Sequence, residues 1–183
     1  MKLLALYSVL ALSVASSQAI GESGKILKGN EVNEAALIQA LTPGEGGEIR
    51  TRSLRVERDS PVVRPAKPAA ASLLITFATN SATLMPQAKH QLDIVGRALN
   101  NDKLAEFKFA IEGHADPRGA ADLNQRLSEE RAESVRRYLM EAQNISAERL
   151  TAIGKGDAEP LNHKNPAAPE NRRVTIVNQA GEY

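Results

Sequence analysis

The feature that most constrains the fold is the stretch "ADLNQRLSEERAESVRRYLMEAQN" at 121–144. Set at about 100° per residue, its side chains sort into the two halves of a helix. Leu123, Leu127, Ala132, Val135, Tyr138, Leu139 and Ala142 collect on one half. Gln125, Arg126, Glu129, Glu130, Glu133, Arg136 and Arg137 collect on the other, where Met140 is the one apolar member. A long helix with one apolar half has to cover an apolar surface, so its neighbours must supply one. Asp122, with Gln125 three residues on, gives the helix a capping-box start.

The neighbours are legible on both sides. "SLLITFAT" at 72–79 is apolar and β-branched, a strand of the buried kind. In "MPQAKHQLDIVGRALNN", Pro86 marks a helix start and Leu92, Val95 and Leu99 share a face. "EFKFAIEGHA" alternates Phe107, Phe109 and Ile111 with polar partners, as a half-buried strand does. "RLTAIGKGD" and "NRRVTIVNQ" read as two further strands around a Pro/Asn-rich loop at 158–170. The order β-α-β-α-β-β predicts an α/β fold, an α+β sandwich whose mixed four-stranded sheet carries helices on one face.

The preceding residues divide into three segments. Met1-Lys2 and "LLALYSVLALSVASSQA" have the basic start, apolar run and small-x-small end of a signal peptide at 1–19, cut after Ala19. The apolar run is shorter than the roughly 20 residues of a membrane span. The segment 20–58 holds a short helix that Asn33 caps, with Leu37, Ile38 and Leu41 as its apolar face and Pro43-Gly44 as its stop. So short a helix must dock on something to persist. A basic, loosely alternating run at 48–59 suggests an edge strand, and 59–71 is a Pro/Ala-rich linker. A folded domain at 72–183 completes the chain.

Composition removes several function classes. The net charge of +1 gives no electrostatic draw toward nucleic acid, which is not an expected partner. Aromatics at 3 %, with no Trp, argue against a stacking platform for single strands and against a membrane barrel with aromatic girdles. With no cysteine the chain carries neither disulfides nor a lipidated N-terminal Cys.

Three polar residues interrupt the apolar half of the long helix: Asn124, Ser128 and Arg131. An uncompensated buried charge costs about 3–5 kcal/mol, so an inward Arg131 needs a partner. Two readings stand. Arg131 snorkels or forms a structural ion pair, or it faces a pocket and holds a ligand carboxylate, with Asn124 and Ser128 as added donors and acceptors. The nearest acid outside the helix is Asp116, in "EGHADPRG". There Asp, Pro and Gly take the first, second and fourth places of a type I turn, which requires no function. A turn acid and an inward Arg nevertheless suit a zwitterion, ammonium on Asp116 and carboxylate on Arg131.

The enzyme alternatives are weaker. A metal at His114 and Asp116 would want a third ligand, and His90 and His163 lack ligand spacing. No Ser stands in an activated context, and "GKGD" is a turn without a following helix. Neither catalysis nor a metal or other cofactor is expected, and His114 is expected to be structural.

"GHADPRGAADLNQRLSEERAESVRRYL" resembles the signature of the OmpA-like C-terminal, peptidoglycan-associating domain family. That signature is an Asp and Gly turn followed by N-x-x-L-S-x-x-R-A-x-x-V-x-x-Y-L. Gly119, Asn124, Leu127, Ser128, Arg131, Ala132, Val135 and Leu139 carry it here. "ENRRVTI" and "ITFATNSATL" match as well, so the resemblance extends over 72–178. It implies non-catalytic binding of the diaminopimelate in peptidoglycan stem peptides, by a protein of the periplasm associated with the cell wall or outer membrane. By position, Asp116 would take the ammonium and Arg131 the carboxylate. Asn80 and the strand start Asn171, Arg172 and Arg173 would line the groove, beside Asn124, Leu127 and Ser128. Ala115 stands where the family usually has Thr, which removes a hydroxyl next to Asp116. The alternative is an envelope scaffold whose protein contacts run through residues 20–70, by the helix at 33–41 and the basic "RTRSLR".

Overall fold

The computed structural model describes residues 26–44, 68–78 and 80–180. The expected signal at 1–19, the edge-strand candidate at 48–59 and most of the linker at 59–71 lie outside the described residues. In chain order the elements are β1 (Ile26–Leu27), α1 (Glu34–Leu41), β2 (Ala70–Leu73), α2 (Pro86–Leu99), β3 (Phe109–Gly113), α3 (Ala121–Gln143), β4 (Leu150–Gly154) and β5 (Val174–Asn178), with single 3-10 turns between some of them.

The strands form one mixed sheet in the order β1-β2-β5-β3-β4. The pairs β1–β2 and β3–β4 are parallel, and β5 runs antiparallel to both β2 and β3. Period-2 alternation aims Leu73, Phe109, Ile111, Val174 and Ile176 at the helices, where all are buried. Leu92, Val95 and Leu99 of α2 meet Ala132, Val135 and Leu139 of α3 over that face. The expected α/β sandwich is the observed one, except that the sheet has five strands among the described residues, not four.

The fifth strand comes from the N-terminal segment. Two residues are too few to show an alternation, so β1 leaves no periodic signal; its Leu27 is buried at the sheet edge. Asn33 caps α1 as expected, accepting from Ala36 N at 2.9 Å. Leu37 and Leu41 are fully buried against the same core, each stabilising the docked helix by about 1.5–3 kcal/mol. Asn178 Nδ2 donates to Leu41 O at 2.8 Å and ties the helix end to β5.

Three local expectations shift. β2 starts at Ala70, inside the expected linker, and ends at Leu73, because Ile75 N turns back to Leu73 O. Phe77 then keeps only an isolated bridge to Leu84. Helix α3 begins after Ala120, and no side chain caps it; Asp122 lies inside its first turn, where its charge favours the helix dipole. Leu123, expected inward, is 58 % exposed.

The sheet meets the same half of α3 through glycines. A Cβ at Gly113 would lie 2.1 Å from Ser128 O, and one at Gly154 would lie 2.8 Å from Glu129 Cβ. The first half of α3 therefore rests on bare backbone of β3 and β4. Side chains there meet peptide groups instead of an apolar floor, which suits Asn124 and Ser128. Among the described residues no helix is long and apolar enough to cross a membrane.

Candidate functional site

Beyond Gly113 the chain leaves β3 between two flanking segments. His114 N donates to Arg173 O at 2.9 Å and Ala115 N to Gly156 O at 2.7 Å. Those bonds seat Asp116 with its side chain only 6 % exposed. The turn is closed by that side chain, which accepts Arg118 N at 3.1 Å in an Asx arrangement.

The Asp116 carboxylate is saturated. Its Oδ1 also accepts Arg118 Nε at 2.9 Å, while Oδ2 accepts Arg118 Nη2 and Arg172 Nη1, both at 2.8 Å. The Arg118 side-chain bonds, with those from Arg172 and the Arg118 backbone, hold its carboxyl well below the usual carboxylate range against the opposing effect of burial. Asp116 and Arg131 do not bond one another.

Arg131 is half-buried on the inward face of α3. Its Nε donates to Ser81 O at 3.1 Å, and its guanidinium carbon sits 5.0 Å from the centre of the Phe77 ring. Its two Nη atoms have no hydrogen-bond partner among the described residues. Burial, then the positive charge of Arg172, lower its affinity for a proton, and Asp116 raises it. Arg131, Arg172 and Asp116 thus share one electrostatic neighbourhood, with guanidinium N–H groups to spare.

The other expected site residues divide. Asn80 is exposed at φ 49° on the loop that presents Ser81. Leu127 is partly buried one turn before Arg131. Asn124 Nδ2 donates to Asp157 Oδ2 at 3.1 Å, and Ser128 Oγ donates to Gln125 O and accepts Gly156 N. Both thereby strap α3 to the loop after β4. Ala115 is buried beside them. Asn171 is fully buried, its amide giving three bonds to the carbonyls of Asn162, Asn165 and Pro166 and taking one from Asn162 N. It organises a loop and offers nothing to a ligand. Arg173 turns away from Asp116; its Nη2 donates to Glu159 O at 3.2 Å. Arg118 and Phe77 belong to the observed cluster although the sequence assigns neither a role. The only hint is an Arg two places after a turn Asp, where a side chain can fold back.

His114 is structural in setting, only 2 % exposed, with no hydrogen-bond partner on either ring nitrogen. Burial, then Arg173 and Lys155, push its pKa down to about 3, so the ring is neutral. With Glu112 and Glu159 it offers three ligand atoms within 4.8 Å of one another. Lys155 Nζ lies 3.2 Å from Glu112 Oε1 and 3.2 Å from Glu159 Oε1, so an ammonium already bridges both acids. His90 and His163 are exposed elsewhere.

Comparison with known proteins bears on the family and the fold. A model of the OmpA family matches residues 76–173. Outer membrane protein P5 of Haemophilus influenzae is 38 % identical over 103 residues, covering 56 % of this chain and 28 % of its own length. The peptidoglycan-associated lipoprotein of Pseudomonas aeruginosa is 33 % identical over 102 residues, covering 55 % of this chain and 58 % of its own. The chain thus spans less than two thirds of these curated relatives. The crystal structure of the peptidoglycan-associated lipoprotein from Burkholderia pseudomallei superposes with a TM-score of 0.50 at 28 % identity, over 62 % of this chain and 92 % of that one. With the family model matching more than half of the chain, across α2, β3, α3, β4 and the segments that hold Asp116 and Arg131, the chain belongs to the OmpA family.

Proposed function

We propose that the chain is a non-catalytic protein of the cell envelope that binds peptidoglycan through the diaminopimelate of its stem peptides. One observation carries the proposal. A buried, ionised Asp116 shares the electrostatic surroundings of Arg131, whose Nη groups, unpaired among the described residues, present the fork that matches a carboxylate. A diaminopimelate end carries an ammonium and a carboxylate on one carbon, the two charges that Asp116 and Arg131 complement. Arg172, held on Asp116, adds a second positive charge for the carboxylate. The names of the Pseudomonas and Burkholderia relatives support the same partner. The expected leader at 1–19 would take the chain to the periplasm.

Charge-assisted contacts contribute about 1.5–3 kcal/mol each, and association costs offset much of the gain. Affinity for one stem peptide is therefore about micromolar to millimolar, and a polymer of repeated sites retains the protein by rebinding. Sedimentation with purified sacculi tests this directly. Wild-type protein should pellet, while Asp116→Ala and Arg131→Ala should stay in solution; equal pelleting of all three overturns the site. Walls with Lys at the third position lack the side-chain carboxylate and should retain the protein less. The scaffold alternative loses part of its surface, because Leu37 and Leu41 face the chain's own core.

A further inference from the structure

The Asp116 carboxylate already accepts four donors: Arg118 N, Nε and Nη2, and Arg172 Nη1. A carboxylate offers about four lone-pair sites. An ammonium therefore cannot reach Asp116 unless one of the present donors leaves. The two arginines are not equally placed to do so. Arg172 is 38 % exposed and is also tied to Ala167 O. Arg118 is 63 % exposed, and its side-chain bonds among the described residues all go to Asp116. Its guanidinium can swing into water without stranding a buried charge. Its backbone N–H bond to Oδ1 can stay, so the turn keeps its shape.

We propose that Arg118 is a displaceable latch: its guanidinium occupies in the free protein the place on Asp116 that a ligand ammonium takes, and binding exchanges one cation for the other. This rests on the zwitterion reading of the site and adds a selection rule to it. A simple amine must displace a bidentate guanidinium with nothing else to gain. A ligand that also carries a carboxylate gains the Nη groups of Arg131 in the same step. The latch thereby disfavours lone cations and admits molecules that present both charges at once.

The test is calorimetric titration of the full chain with a soluble stem peptide carrying meso-diaminopimelate. The apparent affinity of a latched site is reduced by the fraction of open protein, so Arg118→Ala should bind about three- to tenfold tighter than wild type. Arg118→Lys keeps the charge but cannot span both oxygens, and should gain part of that increase. In parallel, the Arg118 Nε–H resonance should be protected from solvent exchange in the free protein and lose that protection on saturation. Unchanged or weaker binding by Arg118→Ala overturns the latch. So does a gain in Arg118→Ala with none in Arg118→Lys, which would mark an effect of charge alone. A wild-type chain that ignores the peptide overturns the zwitterion reading itself, and the latch with it.

Discussion

Two charged clusters stand at the same end of the sheet, both drawing on the segment that leaves β3 and the one that enters β5, and they differ in what their charges leave over. Glu112, His114 and Asp116 follow one another along β3 and its extension, and Arg172 and Arg173 are consecutive before β5. In the first cluster one carboxylate, Asp116, faces three guanidiniums, those of Arg118, Arg131 and Arg172. In the second, Glu112 and Glu159 face Lys155 and Arg173 around a neutral His114. The second is balanced, and its His114 and Arg173 are buried, so its charges are spent on the fold. The first carries excess positive charge within reach of water, which a ligand's carboxylate can neutralise. Surplus charge at a partly open site is a stronger sign of binding than charge by itself.

Acid should separate the clusters most sharply. His114 has a folded-state pKa lowered to about 3 from 6.5, so between those values the unfolded chain binds a proton that the folded chain refuses. Stability is then complete above 6.5 and falls as pH drops below it, by about 1.4 kcal/mol per pH unit. Urea midpoints should report a loss of roughly 2 kcal/mol between pH 7.5 and pH 5, most of it abolished in His114→Gln. Asp116 works in the opposite range. Its carboxyl is held below the ordinary value, so its contribution is intact at pH 5 and is lost only as pH falls further, toward that lowered value. Wall binding should therefore persist at pH 5 while stability declines. A stability flat over the same window would show that His114 accepts its proton in the folded chain.

A second difference concerns geometry. If the first cluster binds a carboxylate, the fork of Arg131 matters and not its charge alone. Arg131→Lys keeps the charge but loses the paired Nη groups, and should weaken sacculus retention by about five- to tenfold, near 1 kcal/mol. The corresponding change in the balanced cluster, Lys155→Arg, should leave retention unchanged. Equal retention by Arg131→Lys and wild type would reduce the first cluster to a diffuse electrostatic patch.

How much of this was legible follows from what each residue contacts. The periodicities of 86–99, 107–111 and 121–143 report an apolar core, and α2, β3 and α3 lie where those patterns place them. β1 is invisible because two residues have no period. Arg131 is legible because a charge on an apolar helical half is a contradiction that needs resolving. Asn124 and Ser128 present the same contradiction with another resolution. Gly113 and Gly154 bring backbone against α3, and the polar side chains answer backbone groups and Asp157. Asn171 shows that a motif can mark a residue as needed without saying for what; its amide is consumed by the loop at 162–166. Arg118 escapes notice because polar residues are ordinary in turns, and only coordinates show the side chain folded back.

The finest test uses the consecutive pair. Arg172 donates to Asp116 at 2.8 Å, whereas Arg173 donates to Glu159 O, with Nε and Nη1 buried and unpartnered. Burial, opposed by Glu159 and Glu112, pushes the Arg173 pKa down to about 10, still high enough to leave it charged. Arg172→Gln removes a half-exposed partner of Asp116. It should weaken retention by about two- to threefold, with stability changed by less than about 1 kcal/mol. Arg173→Gln should leave retention as it is and alter the urea midpoint instead, because its effect is confined to the buried cluster. The two substitutions are chemically identical and one residue apart, so net charge and distance along the chain cannot account for a difference between them. Matching losses of retention would mean that the two clusters act as one site, and the distinction between spent and surplus charge would fail.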